Sequence, residues 1–238
     1  YLYLSKLLSK EFKIQKAVGS GILIILILGI FFVNPTRGAI NAASSNIPLV
    51  NDAWYNALLS IKQDSNKDAI ITSWWDFGHH FKAIAERRVT FDGTTQTTPA
   101  AHWVGRLLMT SNETEAMGIL RMLDCGSNNA YNTLNGITND QQFSFKTVKE
   151  IILLDRNKAE KRLKELKFDG NQTEKILSFS HCNPPQAYFI ASEDMIGKSG
   201  VWSHFGSWNF ERAEIWQNRK LPQEQAVERM MSKYNYTK

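Results

Sequence analysis

The sequence predicts an α-rich mixed α/β globular domain on the extracytoplasmic side of a membrane, preceded by one transmembrane helix. Three observations lead to this prediction. An uncharged apolar stretch of 17 residues lies near the N-terminus, apolar residues at helical spacing fill most of the remaining chain, and a few short apolar runs are typical of strands. The 238 residues suffice for one domain with a substantial core.

The composition excludes several classes of protein. A mean hydropathy of −0.32 excludes a polytopic membrane protein, and 21% charged with 11% aromatic residues excludes a disordered chain. The formal net charge is +5, but residues 1–16 hold four lysines against one glutamate and so carry +3 of it. The other 222 residues therefore lack the basic footprint that a nucleic-acid partner requires.

The apolar stretch, AVGSGILIILILGIFFV at 17–33, is just long enough to cross a hydrocarbon core, at about 25 Å. A signal peptide and a buried core helix are the alternatives. The chain begins YLYLSKLL without a methionine, so we expect an internal segment of a longer protein rather than a signal peptide. Lysines precede the stretch and only Arg37 follows closely, which predicts residues 1–16 in the cytoplasm and residues 38–238 outside.

These features divide the chain into four parts. Residues 1–16 form a basic segment on the cytoplasmic side, and residues 17–34 form the transmembrane helix. We expect Pro35 to end that helix and the small residues of 35–48 to form a tether. Residues 49–238 form the globular domain. Three Asn-x-Ser/Thr sequons, at Asn112, Asn171 and Asn235, fall on the predicted outer side.

Periodicity and turn signals place the elements of this domain. Strands are expected at 69–74, 88–91 and 187–192, because these runs are short, apolar and rich in β-branched or aromatic residues. Helices are expected at 50–63, 78–86, 98–109, 112–123, 145–154, 156–167 and 173–179, after the third strand, and from Pro222 onward. Cys125 and Cys182 are too few for a disulfide scaffold, and the sequence leaves open whether they pair or stay free thiols.

The segment Ser73-Trp74-Trp75-Asp76-Phe77-Gly78 concentrates polar groups at the end of the first strand. Two indole N–H donors and one carboxylate acceptor can together hold a hydroxyl group, which donates to the carboxylate and accepts from an indole. The alternative is that both tryptophans belong to the core and that Asp76 caps the following helix.

This WWDxG element, placed after a transmembrane helix and inside an outer α-rich domain, resembles the signature of the catalytic subunit of oligosaccharyltransferase. Two further segments, RVTFDGT at 88–94 and DMIGKSGVW at 194–202, resemble the same family. The pattern is most similar to archaeal single-subunit enzymes and covers about residues 20–215. The family transfers lipid-linked glycans to the side-chain amide of Asn in Asn-x-Ser/Thr, and its WWD triplet binds the Ser or Thr.

The resemblance implies that Trp74, Trp75 and Asp76 form the pocket for the sequon Ser or Thr. A second motif of the family lines the same pocket, in either a Met-x-x-Ile or an Asp-x-x-Lys form. Met195, Lys198 and Trp202 occupy its positions on one helical face, but Lys198 fits one form and the other two residues fit the other. Gly197 and Gly200 favour an irregular helix, which leaves Asp194 or Ile196 as alternative pocket residues. The form of the motif and the preference for Ser or Thr stay open.

Histidines near the WWD segment permit a different hypothesis. His79, His80, His102, Asp76 and Asp92 lie close in sequence, and a metal-dependent hydrolase could be built from them. Their spacing matches none of the patterns that place two ligands on one helical face, so we predict no metal site in this chain. A membrane-anchored module that binds peptides without chemistry is the other alternative.

Transfer to an amide nitrogen requires more than acceptor recognition. The nitrogen is a poor nucleophile, so the reaction needs a divalent metal and carboxylates that engage the amide. In the family these carboxylates lie in outer loops that precede the last transmembrane helix. The resemblance therefore implies the C-terminal portion of an enzyme that uses Mn²⁺ or Mg²⁺, with no catalytic residue in this fragment. The expected partners are an acceptor polypeptide, a lipid-linked (dolichol-type) oligosaccharide and the membrane.

Overall fold

A computed structural model of the protein describes residues 6, 10, 16–46 and 48–234. The chain divides into two compact units, residues 1–51 and residues 52–238, which are described separately. Most of the predicted basic segment 1–16 and the sequon at Asn235 lie outside the described residues.

Among the described residues of the N-terminal unit, one long helix extends from Lys16 to Ser45. It comprises α1 (Lys16–Leu28), a π-helical turn (Gly29–Val33) and α2 (Asn34–Ser45). Residues 18–45 are long and apolar enough to cross a membrane. The prediction that Pro35 ends the helix is wrong, and residues 35–45 of the predicted tether are helical. The wide π turn ends at Val33, and Pro35 stands in the first turn of α2, where the missing N–H costs no helical hydrogen bond.

The second unit is rich in helices around a small sheet. Its strands are β1 (Ile70–Thr72), β2 (Arg88–Val89) and β3 (Ala187–Phe189). Its helices are α3 (Asp52–Asp64), α4 (Gly78–His80, continued by a π turn over Phe81–Ala85), α5 (Pro99–Met109), α6 (Glu113–Gly126), α7 (Asn129–Thr138), α8 (Gln141–Ile151), α9 (Arg156–Glu165), α10 (Gly170–Ser180), α11 (Asp194–Gly197), α12 (Ser199–Gly206), α13 (Phe210–Asn218) and α14 (Gln223–Tyr234).

The sheet is parallel, with strand order β2-β1-β3. Ile70 lies opposite Arg88 on one side and opposite Ala187 on the other. Parallel strands need long crossover connections, and the helices between the strands supply them. All three residues of β1 are buried, as expected for the central strand of such a sheet. The three predicted strands are confirmed, each shorter than its apolar run.

The predicted helices are present, although those expected at 145–154 and 173–179 lie at Gln141–Ile151 and Gly170–Ser180, and two helices are additional. Asn112 begins α6 by accepting a hydrogen bond from the backbone N–H of Glu115, and Asp169 forms a capping box with Gln172 at the start of α10. Helices α7 and α13 were not predicted. The sequence of α7, NAYNTLNGIT, is rich in residues of low helix propensity, so its helix depends on the burial of Ala130, Tyr131 and Leu134.

A disulfide joins Cys125 to Cys182, which resolves a pairing that the sequence left open. Cys125 lies in the last turn of α6, and Cys182 follows α10 just before β3. The bond therefore closes a loop that contains helices α7 to α10. In the chain-entropy account, a crosslink over 57 residues stabilises the fold by about 4 kcal/mol.

Helices α5 and α12 cross at a pair of glycines. A Cβ atom added to Gly206 would lie 2.5 Å from the carbonyl carbon of Gly105 and 2.7 Å from the backbone nitrogen of Arg106. One added to Gly105 would lie 2.7 Å from the backbone nitrogen of Gly206. No side chain larger than hydrogen fits between the two backbones, so this crossing fixes the distance of α12 from the core.

We expect Gly206→Ala to lower the free energy of unfolding by about 1–3 kcal/mol, because the added methyl group must push the two helices apart. Gly200→Ala, in the same helix, meets no atom within 4 Å and serves as the matched control. The control should leave stability unchanged or raise it by up to about 1 kcal/mol. Denaturant titration of both variants measures the difference, and equal midpoints would contradict the tight crossing.

Candidate functional site

The WWDFG segment leaves the sheet directly after β1. Trp74 is extended, residues Trp75–Phe77 form one 3₁₀ turn, and α4 begins at Gly78. Only 1% of the Trp74 surface is exposed, and its ring packs against Phe91 at 5.3 Å and Phe205 at 6.1 Å between centroids. Trp74 is thus a core residue, as the alternative interpretation of this segment expected, and it anchors the loop that carries its two neighbours.

The glycine of WWDxG has a steric role. A Cβ atom on Gly78 would lie 2.5 Å from the Cβ of Asp92 and 2.8 Å from the carbonyl oxygen of Phe91. Gly78 therefore lets the loop close onto the turn that follows β2. The DGT segment and the WWDxG segment, which the sequence singled out separately, are in contact at this point.

Trp75 and Asp76 form the outer part of the site. Trp75 is half-buried and its indole Nε1 donates a hydrogen bond of 3.0 Å to Oδ1 of Asp76. Asp76 itself is exposed. A carboxylate oxygen has two lone pairs, so one donor on each oxygen leaves acceptor capacity for an incoming hydroxyl group.

Lys198 joins this group from the other end of the domain. Its Nζ lies 3.0 Å from Oδ2 of Asp76 and 2.7 Å from Oδ2 of Asp194, and it stands 5.7 Å from the ring centroid of Phe77. Partial burial opposes the charged form of the lysine, but the hydrogen bonds to Asp194 and Asp76 outweigh it and raise the pKa of Lys198. We call Trp75, Asp76, Asp194 and Lys198 the Asp76 cluster. It carries one positive and two negative charges.

Asp194 is held from two sides within this cluster. Ser192 donates a hydrogen bond to its Oδ1, and Lys198 donates to its Oδ2. Burial raises the pKa of its carboxyl group, but these bonds outweigh burial and lower the pKa below its usual value. Of the two alternative residues named from the sequence, Asp194 therefore lies in the cluster, whereas Ile196 is 75% exposed to solvent.

The other two predicted site residues, Met195 and Trp202, pack on the core side of the cluster. Met195 is buried, and the indole Nε1 of Trp202 donates a hydrogen bond of 2.8 Å to the carbonyl oxygen of Met195. The expected continuous helical face is wrong, because Lys198 separates α11 from α12 with non-helical dihedral angles. The irregularity expected from the nearby glycines is confirmed, and it turns Lys198 toward Asp76.

The histidine-rich neighbourhood is not assembled into a cation site. Among the described residues, no group of three or more His, Cys, Asp or Glu side chains could hold a metal ion. Asp92 is bonded instead to Lys82 and to the backbone and hydroxyl of Thr94, and these bonds overcome burial to lower its pKa to about 2. The Nδ1 of His102 lies 2.9 Å from the carbonyl oxygen of Phe205, far along the chain in α12.

Phe91 and Phe205 are site residues that the sequence did not reveal. Phe91 packs on both tryptophans, and so does Phe205, at 5.3–6.3 Å between ring centroids. Each is a single aromatic residue in an apolar context, which looks the same in sequence as any core position. Only the RVTFDGT resemblance drew attention to the segment that contains Phe91.

We predict that His102 contributes a loss of stability as the pH falls from 6.5 to 4. Burial lowers the pKa of His102 to about 4, so the unfolded chain takes up a proton in this range before the folded one does. The loss amounts to at most about 3 kcal/mol for this residue. The midpoint of thermal unfolding, followed against pH, should fall less steeply in His102→Gln than in wild type. The exposed His204→Gln is the control, and identical slopes for wild type and His102→Gln would contradict the prediction.

Comparison with known proteins gives relatives over most of the chain. No family model matches. The chain is 37% identical over 204 residues to the dolichyl-phosphooligosaccharide-protein glycotransferase of Methanococcus voltae, which covers 82% of this chain and 22% of that protein. It is 36% identical over 191 residues to the protein of the same name from Methanocaldococcus jannaschii, covering 78% and 20%. A 76-residue match at 36% identity links it to a dolichyl-diphosphooligosaccharide–protein glycosyltransferase subunit STT3B of Arabidopsis thaliana.

The chain thus spans about one fifth of the length of the archaeal relatives that it matches. These matches confirm the resemblance that the WWDxG, RVTFDGT and DMIGKSGVW segments indicated. The chain is related to a segment of the archaeal oligosaccharyltransferases.

Proposed function

We propose that this chain is the C-terminal portion of an oligosaccharyltransferase and that it binds the Ser or Thr of the acceptor Asn-x-Ser/Thr sequence. The observation that carries the proposal is the Asp76 cluster. An exposed carboxylate is held between an indole N–H at 3.0 Å and an ammonium group at 3.0 Å, at the surface of a rigid aromatic core. The names of the relatives support glycosyl transfer to protein.

The chemistry of the cluster suits a hydroxyl group. Asp76 accepts the hydroxyl proton, and the Trp75 indole N–H, which now bonds to Asp76, turns to donate to the hydroxyl oxygen. A site of buried polar groups that bind a hydroxyl can reject an analogue without one by about 10⁴-fold or more. Trp74, Met195 and Trp202 hold the loop and helix that carry these groups, which is the role we assign them in the pocket.

Because Asp76 is exposed in this structure, selectivity for a hydroxyl group requires a further contact that covers its carboxylate. Water competes for the carboxylate while it stays open to solvent, so discrimination requires that the bound peptide or the rest of the protein covers it. We infer that the acceptor peptide lies across Trp75 and Asp76 and is enclosed from the other side by the longer protein.

The apolar helix bears on where the domain meets its glycan donor. We propose that the apolar helix at 18–45 crosses the membrane and that the domain lies on the extracytoplasmic side, where lipid-linked oligosaccharide and acceptor polypeptide meet. The lysines before the helix support this orientation. The dolichyl-phosphooligosaccharide in the relatives' names supports a dolichol-type donor.

We further propose that the bond-forming centre lies in other parts of the full-length protein. A divalent metal, Mn²⁺ or Mg²⁺, would supply Lewis-acid activation there. The carboxylates nearest the acceptor pocket, Asp76 and Asp194, are both engaged by Lys198, and the described residues hold no cluster of metal ligands. The residues of this chain thus bind and orient the acceptor, and purified residues 38–238 should show no transfer with metal and lipid-linked glycan.

The decisive test replaces Asp76 in the full-length protein. Membranes that contain it are supplied with lipid-linked glycan and a divalent metal, and transfer to Asn-x-Thr and Asn-x-Ala peptides is compared. We expect transfer only to the Thr peptide, and a decrease of about 10²–10³-fold in kcat/KM with Asp76→Ala, since removing a positioned polar group costs several kcal/mol. Glu224→Ala removes an exposed carboxylate from α14 and should have no effect.

Equal transfer by wild type and Asp76→Ala would show that the WWD segment is structural and would overturn the proposal. Peptide binding without any dependence on the Asn, and without transfer, would favour the membrane-anchored peptide-binding module instead.

Lys198 allows a second prediction about the same pocket. Lys198→Met keeps the length of the side chain and removes the charge that holds Asp76 and Asp194. The two carboxylates then repel each other, so we expect KM for the Thr peptide to rise about tenfold, corresponding to roughly 1.4 kcal/mol, with a smaller effect on kcat. Lys198→Arg should retain most of the affinity. Lys220→Met, at an exposed position, is the control, and an unchanged KM in Lys198→Met would contradict this role.

A further inference from the structure

We propose that Asn112 of this chain is itself a glycosylation site, and that Asn171, which has the same sequence signal, is not. The inference builds on the proposed function, because it places the domain on the membrane face where lipid-linked oligosaccharide is used. The structure separates the two sequons by the accessibility of the threonine two residues after the asparagine, which is exposed at Thr114 and buried at Thr173.

The sequon Asn112-Glu113-Thr114 is presented at the surface. All three residues are exposed, and they lie where the loop after α5 enters α6. Asn112 has an extended backbone, with φ −89° and ψ 110°. Glu113 and Thr114 form the first turn of α6, and because helix ends fray at low free-energy cost, this turn can open to present the whole sequon.

The hydrogen bonds of Asn112 leave its reactive atom exposed. Its backbone N–H donates to Thr110, its carbonyl accepts from Ala116, and its Oδ1 accepts from the Glu115 N–H at 3.1 Å. Among the hydrogen bonds of the described residues, Nδ2 takes part in none. Nδ2 is the atom to which an N-linked glycan is attached, so modification would leave the cap bond from Oδ1 in place.

The sequon Asn171-Gln172-Thr173 presents the opposite case. Asn171 is exposed, but it lies inside the first turn of α10, which the capping box of Asp169 and Gln172 fixes. Thr173 is 2% exposed and its hydroxyl is enclosed in the core. A pocket that reads the threonine hydroxyl could reach it only after α10 unfolds locally.

The proposed modification is a substitution at the anomeric carbon, and no atom is oxidised or reduced. The amide nitrogen of Asn112 forms a bond to the anomeric carbon of a lipid-linked oligosaccharide, and the bond from that carbon to the phosphate oxygen breaks. The lipid phosphate leaves with the bonding electrons, and the amide proton passes to solvent. The product is an N-linked glycan at the N-terminus of α6.

The test measures site occupancy in the full-length protein isolated from the membranes of the cells that make it. After proteolysis, mass spectrometry compares the peptides that contain Asn112 and Asn171 with and without an added glycan mass. We expect occupancy at Asn112 to exceed that at Asn171 by at least about tenfold, since burial of Thr173 imposes a local unfolding step. Thr114→Val should abolish the modification while keeping the cap residue, and Thr114→Ser should retain it.

Two control measurements distinguish a failure of this inference from a failure of the proposed function. An unrelated secreted protein with an exposed sequon reports whether the cells glycosylate at all, and cells with Asp76→Ala as their only copy report whether this enzyme does so. An unmodified Asn112 beside a modified reporter would overturn the inference and leave the proposed function intact. Modification of Asn112 in both wild-type and Asp76→Ala cells would support the site and assign it to another transferase. Equal occupancy at Asn112 and Asn171 would contradict the argument from burial.

Discussion

The glycine-to-glycine crossing of α5 and α12 is the constraint on which the rest of the site depends. The two backbones approach so closely at Gly105 and Gly206 that even a methyl group cannot enter. This approach seats Phe205 against both tryptophans and gives His102 its bond to the Phe205 carbonyl. Since Trp202 and Lys198 precede Phe205 on the same segment, their positions are set by the same contact.

The site combines a tightly packed aromatic core with polar groups that face solvent. Trp74 and Phe91 are almost fully buried and contribute to the core as large apolar side chains do. Trp75 and Asp76 follow immediately in the chain, and the 3₁₀ turn directs them outward while their backbone stays anchored. Gly78 then returns the chain to the interior against Asp92. The WWDxG segment is thus a short loop that leaves the core after Trp74 and returns to it at Gly78, and the position of each residue in this loop explains its residue type.

Much of the fold follows from the sequence because its signals are local. Helical spacing, the helix start at Asn112 and the three apolar runs predict most elements of the domain. The sequence failed where a helix depends on distant contacts, as for α7, or where a neighbouring turn absorbs an unfavourable residue, as at Pro35. The pairing of Cys125 with Cys182 and the order of the strands are long-range facts that no local pattern contains.

The site shows the same division between local and distant information. Trp75 and Asp76 are neighbours in the chain, so the bond between them could be expected from the residue types. The resemblance implied that Lys198 lies in the same pocket, but its bond to Asp76 also depends on the break between α11 and α12. The sequence at 194–202 combines features of both family motifs, and the structure gives the two kinds of residue different places. Met195 is buried beneath the site, and Lys198 and Asp194 both face Asp76.

The distance along the chain between Asp76 and Lys198 bears on how the protein is made. The two residues are 122 positions apart, and β1 pairs with β3 only after 117 further residues have been added. At a synthesis rate of about 5–20 residues per second, the WWD loop waits roughly 6–24 s for its partner lysine. During that interval its tryptophans lack Phe205, and the central strand of the sheet has an open edge. A nascent chain therefore exposes these aromatic side chains and this strand edge until β3 and α12 have been made, and termination before Lys198 yields a product that cannot form the Asp76 cluster.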